Sequence, residues 1–124
     1  GGSAGIGLAT AKALYSEGVN VAIAARNQER LETAVNAILS LPDSGAKVIP
    51  ISADISQAAD VAKVVSTVIE QFGRIDILIN NAGSARAGSL LELDDEAFLD
   101  AWNLKLLGYI RLVKAVSPHF KSQR

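Results

Sequence analysis

The sequence predicts an α/β fold: a doubly wound parallel sheet with helices on both faces, three layers deep. Three observations lead there. Helix-length amphipathic stretches alternate with short apolar runs along the chain. Those runs are nearly continuous in apolar residues, as strands buried on both faces require. Three glycines, Gly1, Gly5 and Gly7, open the chain and lead straight into a helical stretch. Helices between short apolar strands make βαβ units, and right-handed crossovers place the helices on both sides of the sheet.

Each element has its own signal. Residues 5–17 read as a helix with Ile6, Ala9, Ala13 and Leu14 on one side, stopped by Gly18. Val19 to Ala25 is an apolar strand. Asn27 can cap a second helix over 28–41, with Leu31, Val35, Ile38 and Leu39 as its stripe. Pro42, Asp43, Ser44 and Gly45 form a turn, and Val48 to Ser52 is the next strand. Ser56 is expected to cap a helix over 57–72, with Val61, Val64, Val65, Val68, Ile69 and Phe72 inward and Gly73 as its stop. Ile75, Ile77, Leu78 and Ile79 read as a further buried strand, and a Gly/Ala/Ser loop follows from Asn81 to Ser89. Asp94 starts a long amphipathic helix over 95–117 that ends near Pro118.

Composition narrows the function. With 124 residues, the chain is one domain or part of one. Apolar residues make up 49% and charged residues 20%, a balance that folds. The net charge of −1 gives no broad electrostatic case for nucleic acid or an anionic membrane. No run of about 18 apolar residues exists to span a bilayer. A single histidine and no cysteine make a metal site unexpected and exclude disulfides within these residues. The chain opens on Gly1 without a Met, so its start says nothing about a leader.

Parallel sheets of this kind bind ligands at the carboxyl ends of their strands, where the strand order reverses. The glycines, spaced G-x-x-x-G-x-G, belong there. Glycine lets a backbone turn sharply and approach a pyrophosphate, and unpaired N–H groups at a helix start favour phosphate. Ser3 can add a hydroxyl, and Ala4 and Ile6 complete the loop. The plain alternative is an ordinary glycine-containing loop before a helix.

The spacing resembles the T-G-x-x-x-G-x-G pattern of the short-chain dehydrogenase/reductase family. Three further segments share the likeness: Asn80-Asn81-Ala82-Gly83, matching N-N-A-G after a strand; Asp54-Ile55 after the strand 48–52; and Phe72-Gly73-Arg74-Ile75-Asp76-Ile77-Leu78 leading into N-N-A-G. The resemblance runs the length of the chain and is with the classical type. It implies a Rossmann-like fold, with residues 1–124 a partial NAD(P)-binding domain, the cofactor-binding half of a longer chain. In the order 3-2-1-4-5-6 the first strand lies between strands 2 and 4. That strand is expected before Gly1. Without it, the strands at Val19 and Ile75 cannot pair directly, and their edges would be exposed.

The resemblance also implies roles. Asp54 accepts a hydrogen bond from the adenine amine, or else caps the helix beside Ser56; Ile55 packs beside the ring. Asn81, Ala82 and Gly83 pass close to a ribose and the nicotinamide. Asn80 stabilises neighbouring strands, and Asp76 is structural. NAD enzymes carry a carboxylate at the end of the second strand. Ala25 stands there, followed by Arg26 and Asn27. A guanidinium suits a 2′-phosphate, and a charge-assisted hydrogen bond of about 1.5–3 kcal/mol gives roughly tenfold to hundredfold preference. NADP(H) is therefore the expected cofactor and NAD(H) the second choice. Some NADP-preferring relatives carry another basic residue just before the middle glycine, where this chain has Ala4.

The family's chemistry uses a Tyr-x-x-x-Lys pair, a Ser and a helical Asn. Tyr15 is followed at that spacing by Val19, and Tyr109 by Val113, so the pair is absent from these residues. Asn103 is close to the Asn position, but Gly108 and Pro118 place that position at Lys105. Lys105 is the catalytic candidate, holding a water or touching substrate; the alternative is a helix residue with an exposed tip. His119 reads as a capping or surface residue, and Phe98 and Trp102 as packing on the long helix, at a subunit interface if there is one. The implied partners are a small carbonyl or alcohol substrate and further copies of the chain, as a dimer or tetramer, in the cytoplasm. Two other readings compete. A non-catalytic NADP(H) sensor would bind NADPH and turn over no carbonyl. A methyltransferase would bind S-adenosylmethionine and not NADPH.

Overall fold

A computed structural model describes residues 1–123. Helix α1 (Gly5–Ser16) comes first and buries Gly7, Ala11 and Tyr15, one line at i, i+4, i+8. The face differs from the expected one: Ile6 is 79% exposed, Ala9 and Ala13 are exposed, and Leu14 is half-buried. Closeness of approach decides it. Gly7 and Ala11 let the helix sit against its neighbours where larger side chains would hold it off. Gly18, at φ 80°, ends the helix, its N–H donating to Tyr15 O.

Strand β1 (Val21–Ala25) follows, then α2 (Gln28–Leu39) and β2 (Val48–Ser52). The Asn27 side chain caps α2 as expected, accepting from the Arg30 N–H at 2.8 Å. β1 and β2 pair in parallel, Val21 opposite Val48 and Ala25 opposite Ser52. Pro50, which has no N–H to give, sits on β2, whose outer side is a sheet edge. Leu31 and Ile38 of α2 are fully buried against Val21, Ile23, Ala11 and Tyr15. Leu39, expected inward, is exposed.

Helix α3 (Ala58–Phe72) packs Val61 and Val65 against Leu112 and Val116 of a later helix. Its cap differs from the expected one. Gln57 holds the cap position with no side-chain bond, and the Ser56 N–H and hydroxyl both donate to Asp54 Oδ1, at 3.0 and 2.7 Å. Asp54 makes the turn, because the carboxylate is the stronger acceptor. Gly73 ends α3 in the left-handed region at φ 77°.

The apolar run Ile75–Ile79 forms no strand here, and Ile77 and Ile79 are half exposed. It has no ladder partner. A slot of about 460 Å³ separates it from β1. The free edge of β1 carries only the Gly1 and Gly2 nitrogens, both donating to Ala24 O. The end of the last helix holds the run instead: the Gln123 amide bonds both the N–H and the C=O of Ile75, at 3.1 and 2.6 Å. The parallel sheet among the described residues therefore has two strands.

The long amphipathic segment is α4 (Asp95–Trp102), a π-helical turn (Asn103–Leu107) and α5 (Gly108–Ser122). Asp94 caps it, accepting from Ala97 N–H at 2.9 Å. Pro118 was expected to end it but lies inside α5. The missing N–H leaves Lys114 O without its i+4 donor; both residues are exposed, so water can satisfy that carbonyl. No helix among the described residues is long and apolar enough to cross a membrane.

Candidate cofactor site

The glycine loop meets the Asn81–Gly83 segment, and steric closeness governs the contact. A Cβ on Gly7 would stand 2.1 Å from Gly1 O and 2.6 Å from Asn81 Nδ2. A Cβ on Gly1 would stand 2.7 Å from Ala82 Cα. Asn81 Nδ2 donates to Gly1 O at 3.1 Å and ties the two segments together. Gly5 is different: its φ is +53°, and nothing lies within 4 Å of where its Cβ would be. The loop is thus closed toward the protein at Gly7 and open toward solvent at Gly5.

Helix α1 starts at this open side. Ala4, its N-cap, has extended backbone and no side-chain cap bond, and the first turn carries no acidic residue. The opening N–H groups have no partner within the helix, so the helix start can take an anion. Ser3 and Ile6 flank it, Ile6 exposed and Ser3 half-buried. Arg26 stands just past the end of β1 and is exposed.

A second hollow of about 360 Å³ lies at the carboxyl end of the strands. Arg26, Asp54 and Ser56 line one part, and Ser84, Arg86 and Asp100 another. Asp54 Oδ1 is taken by Ser56, while Oδ2 has no recorded partner. Ile55 is buried and packs with Val61 and Leu112. Asn27 is engaged as the cap of α2.

The π-helical turn presses on the far end of Asn81–Gly83. Tyr109 Oη donates to Ala82 O at 2.6 Å. The Lys105 stem lies over Gly83, where a Cβ would meet Cε at 2.8 Å. Asn103 Oδ1 accepts from Arg111, which also donates to Ser56 O at 3.0 Å. Asn80 Oδ1 is buried with no hydrogen-bond partner.

The structure thus brings Gly1, Gly5, Gly7, Asn81, Ala82, Gly83 and Lys105 into one neighbourhood, and Arg26 and Asp54 into the adjoining hollow. Sequence reasoning passed over Arg86, Tyr109 and Arg111. Arg86 had a visible signal, a lone guanidinium in the small-residue run Ser84–Gly88. Tyr109 and Arg111 had none, since each acts on backbone atoms distant in sequence. No group of three or more potential metal ligands occurs among the described residues.

The short chain dehydrogenase family model matches residues 1–124. The chain belongs to the short-chain dehydrogenase family. A 3-oxoacyl-[acyl-carrier-protein] reductase of Synechocystis sp. is 34% identical over 125 residues, covering 100% of this chain and 49% of that protein. Among solved structures, the L-sorbose reductase of Gluconobacter frateurii complexed with NADPH and L-sorbose superposes with a TM-score of 0.91 at 32% identity, over 99% of this chain and 46% of that one. An NAD+-bound xylitol dehydrogenase superposes with a TM-score of 0.90 at 30% identity, over 98% and 46%. The chain therefore spans about half the length of these short-chain dehydrogenase relatives. Their Rossmann-like architecture is the one expected from the alternating pattern. These neighbours include both an NADPH and an NAD+ complex.

Proposed function

We propose that the protein is an NADP(H)-dependent oxidoreductase moving a hydride between the cofactor and a carbonyl or alcohol carbon, of the 3-oxoacyl-thioester reductase kind or another ketone reductase. One observation carries the reading. A tight Gly1–Gly7 cradle leads into the uncapped start of α1, Arg26 follows β1, and no carboxylate stands at Ala25. The residues present fit the cofactor: the open face at Gly5 can take a pyrophosphate, and the uncapped start of α1 offers its N–H groups. The cofactor supplies the hydride. The chain's residues hold and orient. Gly5, Ile6 and Gly7 present N–H donors, and Ser3 a hydroxyl, beside the close-packed Gly1 and Ala4. Arg26, with Asn27 fixing the start of α2, grips a 2′-phosphate. Asp54 offers Oδ2 to an adenine amine with Ile55 beside the ring, and Asn81–Gly83 back the nicotinamide ribose. Lys105 extends across Gly83 toward that end and carries a positive charge where the family usually has Asn.

The same reading makes the functional protein a cytoplasmic homo-oligomer. Leu99, Trp102, Leu106, Ile110, Val113 and Phe120 expose an apolar stripe along α4 and α5 that a second copy would cover. Fluorescence titration of the whole protein with NADPH and NADH tests the cofactor assignment. Arg26→Ala should weaken NADPH binding about tenfold to hundredfold, the effect of losing a charge-assisted bond, and NADH binding little. Equal losses would sink it.

A further inference from the structure

We propose that Arg86 is a second cation for the 2′-phosphate of the bound cofactor, acting from the hollow that Arg26 also lines. This rests on the NADP(H) reading above. The argument starts from what the hollow offers. Two guanidiniums, Arg26 and Arg86, and two serines, Ser56 and Ser84, share about 360 Å³ with the carboxylates of Asp54 and Asp100. A simple anion would be opposed by those carboxylates. A nucleoside phosphate brings both signs: an amine that donates to a carboxylate, and a dianion that needs more than one cation.

Arg86 is free enough to serve. Its one recorded bond is Nη2 to Asp94 Oδ1, at 2.8 Å, and its side chain is 54% exposed. Guanidinium has five N–H donors in a fixed fork, so most remain available. Arg111 and Arg74, by contrast, are engaged. Arg111 is spent on Ser56 O and Asn103, and Arg74 gives both Nε and Nη2 to Asp76. The Asp94 contact also helps. Asp94 caps α4 through the same Oδ1, so Arg86 is tethered to a rigid helix start. A tethered side chain loses less freedom on binding. Ala4 leaves the glycine loop without a basic residue at that position, and Arg86 is the other guanidinium lining the hollow.

The test is a cofactor titration of the whole protein by nicotinamide fluorescence, with NADPH and NADH, on the parent, Arg86→Ala, Arg86→Lys and Arg26→Ala. Arg86→Ala should weaken NADPH about tenfold and leave NADH within about twofold. Arg86→Lys keeps the charge without the fork and should fall between. The lost ion pair is exposed, so the variants should melt near the parent. An equal loss for both cofactors, or no loss for either, overturns the proposal. If Arg26→Ala discriminates and Arg86→Ala does not, this inference alone fails. If Arg26→Ala does not discriminate, the NADP(H) reading fails first.

Discussion

Replacing Gly7 by alanine tests whether steric closeness shapes the site. The new Cβ would lie 2.1 Å from Gly1 O and 2.6 Å from Asn81 Nδ2. Carbon and oxygen need more than 3 Å, so the loop or the helix must move by about 1 Å. A backbone carbonyl cannot turn aside as a side-chain tip can. Overpacking of this kind costs about 1–3 kcal/mol. The shift also strains the Asn81–Gly1 bond at 3.1 Å and the Gly2–Ala24 bond at 3.1 Å, each of roughly 1 kcal/mol. Together they give about 3–5 kcal/mol, so Tm should fall by about ten degrees or more. Gly5→Ala is the contrast. It meets no atom, so its cost is the positive φ alone, about 1–2 kcal/mol. Its methyl enters the open face, however, and should cost NADPH affinity beyond its effect on folding. Urea denaturation and cofactor titration of both variants separate the two effects. A Gly7→Ala protein within about 0.5 kcal/mol of the parent, still binding NADPH normally, would refute the closed-packed loop.

Two further outcomes are expected. Asn27→Ala removes the acceptor for Arg30 N–H and should cost about 1 kcal/mol in urea unfolding; no change would show the cap to be replaced by water. At Asp76, the hydrogen bond from Arg74, and secondarily its charge, hold the carboxyl below the usual carboxylate range. Because its folded pKa is depressed, the pair's contribution is present above the usual range and lost as pH falls through the lowered value. The stability gap between the parent and Asp76→Asn should therefore shrink on acidification, and a gap that does not vary with pH would rule out the pair as its source.

What the sequence disclosed, and what it hid, divides along a physical line. Elements held by local signals were legible. Asn27 caps α2 through its own third residue, Gly73 turns left-handed at the end of α3, and β2 runs from Val48 to Ser52 as its apolar run suggested. Features that depend on distant partners were not. The run Ile75–Ile79 has strand composition but no ladder among the described residues; only that it and β1 do not pair directly, with a slot between them, was legible. The buried face of α1 was misjudged because hydrophobicity marks what can be buried, whereas Gly7 and Ala11 are buried for being small. Pro118 stays helical because solvent takes over the bond that it cannot make.

The same division explains the site. Glycine spacing and the Asn80–Gly83 segment are readable because the chemistry acts through backbone, which only small residues leave bare. Side chains that reach across the fold are silent in sequence. Asn103 has the residue type of a relay Asn, but its amide oxygen is occupied by Arg111, whose guanidinium also holds Ser56 O. Lys105, two residues on, has no such partner, and its stem crosses Gly83. Residues two apart point to nearly opposite sides of a helix, so residue 103 meets Arg111 while residue 105 meets Gly83. Arg111 thereby ties the turn at Ser56 to the turn that carries Lys105 through one side chain.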